Sequence, residues 1–279
     1  MAGEVERIAQ IDDPFELIRA TTERLGAAQQ EVTDLARLRR RKIQDLHDEG
    51  LSYAQIAEAA GLSRARIHQV RHSGPPPEGF FLGAGAVVVA TPLKQDVIQA
   101  RPVVAVEDVT ATQRLGELAQ SLGMAFRAEH VTTDGAIDLN RPNLVVICGP
   151  RISDVVAAVL AQDRFITFER DTDQPWTLRD LHTGAVYRSG WDDDPQQPYD
   201  FAYLGRLPRP DGHGSLLVFT GIHPPGSLGV VHLLTSRLAE LYESVKDRPF
   251  SAVVRTDYDP TIREPTHVEL VTPLYEPEH

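Results

Sequence analysis

The chain has 279 residues, 24% of them charged, a formal net charge of −12 and a single cysteine, Cys148. That length holds two domains with a sizeable core, while a lone thiol excludes an internal disulfide framework and leaves too few ligands for a metal–thiolate cluster. No apolar run nears the roughly 20 residues of a membrane span and no apolar leader precedes a cleavage site, so a cytoplasmic protein with no membrane partner is expected.

Charge is segregated along the chain. Residues 1–73 carry 11 Lys and Arg against 12 Asp and Glu, the remainder 17 against 28, and the stretch 37–72 alone is net basic at 8 against 4. A local basic stretch in an acidic chain is the electrostatic footprint of a nucleic-acid contact, and the acidic remainder should repel DNA.

Residues 14–47 are predicted as one helix, because Asp12, Asp13 and Pro14 suit a helix start through capping, dipole and fixed φ; Gly26 is its weak point. Ile11, Ile18, Leu25 and Val32 recur every seven residues, and Ala28 and Leu35 continue a second seam, the spacing of a short coiled coil. Such a stripe serves either a homodimer suited to a two-fold operator or packing within a small helical domain. At the end of this helix Arg37, Arg39, Arg40, Arg41 and Lys42 are expected to hold phosphates.

Residues 51–71, LSYAQIAEAAGLSRARIHQVR, read as two short helices, with Ser52 and Ser63 each standing where an N-cap belongs. Ile56, Ala57 and Ala60 are expected to face inward from the first, Ala65, Ile67 and Val70 from the second, with Gly61 permitting the turn and Leu62 plugging it. Arg64, Arg66, His68, Gln69 and Arg71 are left for the outside. An arginine fork bonds guanine O6 and N7 together, and Gln does the same on adenine. The first turn does the reading in this geometry, so Ser63, Arg64 and Arg66 lead, with Gln69 one turn on.

The segments GLSYAQIA and GLSRARIHQ resemble the region 4 helix-turn-helix of sigma factors and the regulators that share it, over about residues 37–72. That resemblance implies double-stranded DNA as a partner. Nothing else in the chain resembles the parts of a sigma factor that bind the promoter −10 element or the polymerase clamp.

Residues 74–85 form a Pro/Gly-rich linker, with Pro75 to Pro77 stiffening it and Gly74, Gly79, Gly83 and Gly85 permitting turns; Phe80 and Phe81 are expected to dock on one of the domains. Apolar runs and helical patterns then alternate. Strands are predicted at 86–90, 103–106, 125–130 and 144–148, with helices at 110–122 and 153–161. Short strands at 166–169, 177–181, 185–188 and 201–207 form a middle block. A strand at 216–222, a helix at 228–245 and strands at 251–256 and 268–272 close the chain. The fold class expected is α/β: an all-α helix-turn-helix domain over 1–73, then a Rossmann-like α/β sandwich over 86–279 with a mostly parallel sheet and an antiparallel insert.

Two strand-to-helix junctions, LVVICGPRIS and LLVFTGIHPPGSLG, each place glycine just past a buried strand. In an open α/β sheet such loops form the ligand crevice, and free amides at a helix start favour anions. Gly149, Arg151 and Ser153 on one loop, and Thr220, Gly221, His223, Gly226 and Ser227 on the other, are therefore the expected site for a small anionic or nucleotide-like ligand. His213, His223 and His232 have no metal-ligand spacing. Neither a metal nor another cofactor is implied, and Asp192 to Asp194 read as a solvated loop.

NLVVICGPR, FITFER, the strand around 203–208 and LLVFTG with its G-x-L-G helix start resemble a sparsely characterised domain fused to bacterial helix-turn-helix regulators, over about residues 143–255. That resemblance implies a sensor or signal-responsive module and offers no settled catalytic residues to carry over. The leading expectation is a transcriptional regulator that is not an enzyme. One alternative is a DNA-tethered nucleotide or nucleoside hydrolase, with Glu169 and Asp171 as bases and His223 as acid; another is a protein-interaction module.

Overall fold

The computed structural model describes residues 3–73, 75–96, 98–99, 101–170, 174–194 and 197–277. The chain divides into two units: one runs to Pro77 and takes in Gly123–Ala125, and the other holds Glu78–Leu122 and the chain from Phe126 onward. Gly74, Asp171 and Pro195, on which sequence expectations fell, lie outside the described residues.

The first unit is helical. A short helix not expected from the pattern, α1 (Glu4–Ile8), precedes the long α2 (Pro14–Asp48), whose N-cap Asp13 accepts from the Phe15 and Glu16 amides. Next come α3 (Tyr53–Ala59) and α4 (Arg64–Ser73). Ser52 accepts from the Gln55 amide while the Gln55 side chain accepts from the Ser52 amide, a reciprocal capping box. Ser63 Oγ likewise accepts from the Arg66 amide at 3.1 Å, and Gly61 takes the left-handed φ of +66° that the intervening turn requires. The small core is Ile43 of α2, Ile56 and Ala57 of α3, and Ile67 and Val70 of α4, with Leu51, Tyr53 and Leu62 packed against it.

Two inward assignments fail here. Ala60 is the C-cap of α3, beyond its last full turn, and Ala65 stands on the open side of α4, so both are exposed. Of the expected heptad stripe, Ile18, Leu25, Val32 and Leu35 are exposed on α2, Ala28 is half-buried, and Ile11 lies ahead of the helix and is half-buried.

A 3-10 turn, Pro77–Phe81, leads from the first unit into the second, and its two phenylalanines are buried. Phe81 lies 5.6 Å from the Phe250 ring, and Arg206 Nη2 donates to its carbonyl at 2.7 Å. From Glu78 onward the expected linker is thus part of this unit. There follow β1 (Val87–Pro92), a two-residue pair β2 (Lys94–Gln95) and β3 (Pro102–Val103), α5 (Val106–Ser121), β4 (Phe126–Val131), β5 (Leu144–Val146) and α6 (Asp154–Leu160). The middle holds β6 (Ile166–Glu169), β7 (Thr177–Asp180), β8 (Val186–Arg188) and the single turn α7 (Gly190–Asp193). The remainder is β9 (Tyr199–Pro208), β10 (Ser215–Gly221), α8 (Pro224–Val245), β11 (Phe250–Tyr258) and β12 (Pro265–Leu270).

Seven of these strands form one sheet in the order β12-β11-β9-β10-β5-β1-β4. It is mixed rather than mostly parallel: β4, β1, β5 and β10 run parallel, while β9, β11 and β12 pair antiparallel. The correction centres on β9. Its residues were expected in the antiparallel insert, yet β9 lies inside the main sheet, and of the middle block β6, β7 and β8 alone form a separate antiparallel sheet. Local pattern cannot separate the two cases, because a strand covered on both faces reads as one apolar run wherever it pairs. One face packs on α6 and the small sheet through Val146, Tyr203, Val218, Val156, Ile166 and Leu178, and α5 and α8 also pack on the sheet.

Helix α8 starts four residues before the position expected. Pro224 and Pro225 occupy its first turn, where a missing N–H costs nothing and the fixed φ is already helical.

Candidate functional site

Parallel strands β1, β5 and β10 end side by side, so the loops that follow them meet at one edge of the sheet. The two glycine-bearing loops expected to form the site are in contact there: a Cβ added at Gly149 would lie 2.8 Å from Thr220 Oγ1, so only glycine lets the strands' ends approach this closely. Gly149, Arg151, Thr220, Gly221, His223 and Ser227 share a small cavity with Lys94 and Asp108. It adjoins a larger hollow of about 390 Å³ bounded by Arg151, Arg170, Trp176, Asp192 and His223.

The expected residues divide by role. Ser153 is fully buried; its hydroxyl caps Val156 N of α6 and donates to the Gly135 carbonyl at 2.6 Å. Ser227 Oγ accepts from the Gly221 amide at 2.9 Å, tying the loop to α8. Gly149, Thr220 and Gly226 are buried in the loop framework, whereas Arg151 is exposed and Gly221 and His223 are half-buried.

Free amides at the start of α8 were expected to draw an anion, and the structure corrects this. Pro224 and Pro225 have no N–H, and Asp200 Oδ2 accepts from the His223 amide at 2.8 Å and the Gly226 amide at 3.1 Å. The chain's own Asp200 side chain thus already accepts from the amides at the helix start that would otherwise draw an anion. Any anion bound here is held by side chains, namely Arg151, Arg170, Lys94 and the His223 imidazole.

Several contributors carried no sequence signal. Asp200 opens an apolar strand, Asp108 sits in the first turn of α5 and Asp192 belongs to the loop read as solvated. Asp192 Oδ1 instead meets His223 Nε2 at 2.8 Å. Asp108 is buried 3.7 Å from Lys94 Nζ; burial pushes its carboxyl up to about 6 against the pull of that ammonium. Burial, with Asp108 nearby, drives the Cys148 thiol up to about 12, so it is no nucleophile. Glu169 pairs with Arg179 at 2.7 Å, which engages the base invoked for hydrolysis, and Asp171 lies outside the described residues. Among the described residues no three His, Cys, Asp or Glu side chains gather to hold a metal ion, and no helix is long and apolar enough to cross a membrane.

Asp200 also predicts a pH dependence. Full burial raises its carboxyl to about 7 from an ordinary value of 3.8, outweighing the hydrogen bonds that favour the charged form. The fold therefore prefers the protonated group, and this contribution is complete below about pH 4 and lost as pH rises through 7. Asp200→Asn keeps a carbonyl oxygen for the two amides and removes the buried charge. Its unfolding free energy should exceed that of the parent by up to a few kcal/mol at pH 8, with the difference vanishing by about pH 4. Denaturant titrations at several pH values read this directly; a difference independent of pH would refute it.

A roomier cavity of about 500 Å³ lies elsewhere, lined by Phe165, Arg206, Phe250, Ser251 and Tyr275. Arg206 pairs with Leu217 near the start of β10, so that cavity sits toward the amino ends of the parallel strands, away from the loops described above.

The small N-terminal unit presents a second set of side chains. Arg64, Arg66, His68 and Gln69 are exposed on α4 opposite the buried Ile67 and Val70. Arg66 Nη1 donates to Gln69 Oε1 at 2.6 Å. Arg71 is half-buried, its guanidinium 3.9 Å from the centre of the Tyr53 ring, which holds it against α3. The basic run on α2 splits. Arg39 and Lys42 are exposed and Arg40 and Arg41 half-buried, but Arg37 is fully buried, donating to the Pro76 carbonyl and to Asp34. Arg37 thus leaves the phosphate-binding set. No known family matches the chain, and no curated protein or solved structure is similar to it.

Proposed function

We propose that this chain is a cytoplasmic DNA-binding transcriptional regulator, with α3 and α4 as a helix-turn-helix of the sigma region 4 kind, working as a homodimer on double-stranded DNA. The observation that carries this is the face of α4: Arg64, Arg66, His68 and Gln69 are exposed together, on a helix capped by Ser63 and anchored by Ile67 and Val70. Arg39, Arg40, Arg41 and Lys42 supply phosphate contacts that set register without reading sequence. Genome-wide mapping of bound DNA tests the proposal, and a flat profile without enriched sites would sink it.

The second unit, read as a Rossmann-like sensor, takes a small anionic or nucleotide-like ligand at the loops after β1, β5 and β10. Arg151, Arg170 and His223 around an aromatic Trp176 suit a phosphate or carboxylate attached to a flat ring. A ligand alters operator affinity only by binding two conformations unequally, and Phe80 and Phe81, buried in the sensor unit and following the helical unit directly in sequence, are where such a change would have to pass along the chain. Thermal-shift measurements with nucleotides and phosphorylated metabolites should find a stabiliser, by about 2.7 kcal/mol at 100 times its dissociation constant. Arg151→Ala should abolish that stabilisation; a hit indifferent to Arg151 would remove the ligand from this site.

The hydrolase alternative gains the His223–Asp192 pair, an imidazole oriented by a carboxylate. Turnover of any stabilising ligand, followed by chromatography, decides between the two.

A further inference from the structure

The long helix α2 leaves an apolar seam uncovered. Ile18, Leu25, Val32 and Leu35 are 62%, 57%, 67% and 59% exposed. With Thr21 and Ala28 they occupy the alternating three- and four-residue steps of a coiled-coil core. Gly123–Ala125 belong to this unit yet leave these four side chains open to solvent.

We propose that a second copy of this chain covers the seam, with the two α2 helices antiparallel and their two-fold axis between residues 26 and 27. Charge and size select that orientation. In this register Ile18 packs on the partner's Leu35, Thr21 on the partner's Val32 and Leu25 on the partner's Ala28, and the two-fold repeats each layer. Large side chains meet small ones at the centre. Flanking the core, the half-buried Arg24, which the chain's own Glu4 meets at 2.7 Å, stands on the side of the partner's Glu31, twice per dimer, and Phe15 meets the partner's Ala36. A parallel pair matches like with like: Arg24 would face Gln29 and Glu31 would face Ala36, with no charge complementarity. It would also put Arg39 against its own copy in the next core layer, a like-charge contact that the antiparallel register avoids.

One geometric consequence follows for DNA. Ile43, which anchors α2 in the small core, lies about 25 Å from the two-fold axis at 1.5 Å per residue. The two α4-bearing clusters then stand roughly 50 Å apart along α2, more than the 34–36 Å of one DNA turn. A palindrome with half-sites one turn apart fits poorly.

This deepens the homodimer proposed above and rests on that part of it alone. Measured without DNA, it can fail while DNA binding stands. Sedimentation equilibrium of the full chain should show a concentration-dependent dimer, lost in Val32→Asp, whose site is exposed in the single chain. Arg24→Glu and Glu31→Arg should each weaken the dimer roughly tenfold, and the double variant should return within about threefold of the parent. Spin labels on Glu49→Cys, just past the end of α2, should lie roughly 65 Å apart. A parallel pair places them within roughly 25 Å, given helix axes 8–10 Å apart. A short distance, single reversals without effect or without mutual rescue, a dimer that survives Val32→Asp, or a monomer at every concentration would each overturn the proposal.

Discussion

Replacing Arg64 and Arg66 together with alanine is expected to lower affinity for a cognate operator by roughly 30-fold to 10⁴-fold, since each bidentate base contact contributes about 1–3 kcal/mol. The loss should be largest on the best site and smaller on random DNA, because the phosphate contacts from Arg39 and Lys42 survive. Folding should be unaffected. Both side chains are exposed, the Ser63 cap bonds the Arg66 backbone amide rather than its side chain, and alanine favours a helix. Arg39→Ala plus Lys42→Ala should act in the other sense, weakening binding to all sequences alike and lowering the salt slope by about 2. Fluorescence anisotropy at several salt concentrations separates the two patterns. An Arg64/Arg66 variant with parental affinity and slope would show that α4 does not read DNA.

Arg37→Ala should instead destabilise the helical unit by about 2–4 kcal/mol, because it removes charge-assisted hydrogen bonds from a fully buried site. Its guanidinium Nε donates to the Pro76 carbonyl at 3.3 Å and Nη1 to Asp34 at 3.1 Å. That carbonyl loses a donor, and the space filled by the side chain's methylenes empties. Arg37 thereby ties α2 to the residues just before the second unit begins. In a unit of this size such a loss is a large fraction of the total stability. Urea unfolding followed by circular dichroism at 222 nm should show an earlier first transition in the variant, whereas Arg39→Ala should leave it in place. Equal stability of the two variants would return Arg37 to the surface set.

Sequence carried the N-terminal unit far. The caps at Ser52 and Ser63, the turn glycine and the apolar spacing of Ile56, Ala57, Ile67 and Val70 are local features, each acting within one or two helical turns, and each took its expected place. Arg37 looked like its neighbours Arg39 and Arg40 because composition counts charges, whereas burial depends on which side of α2 faces Pro76. Ala60 and Ala65 misled for a related reason: alanine suits either face of a helix, so its identity says nothing about orientation.

In the second unit the contact of the Gly149 and Thr220 loops agrees with the glycines' position just past buried strands. Asp108, Asp192 and Asp200 had no such mark. A carboxylate in a loop or at a strand start looks solvated in one dimension, and only the folded chain brings Asp192 to His223 and lays Asp200 beneath α8.

By itself, the sequence determined most of the helices and strands and which face of α4 carries Arg64 and Arg66, because these depend on neighbours a few residues away; it did not foresee α1, it read 103–106 as strand where α5 already begins at Val106, and it did not place Gly123–Ala125 with the first unit. Only the tertiary structure decided that β9 enters the main sheet, that Asp200 occupies the helix start expected to take an anion, and that the α2 seam stays open. Those outcomes depend on contacts between residues far apart in the chain, and a periodic pattern states that a face is apolar without naming what covers it.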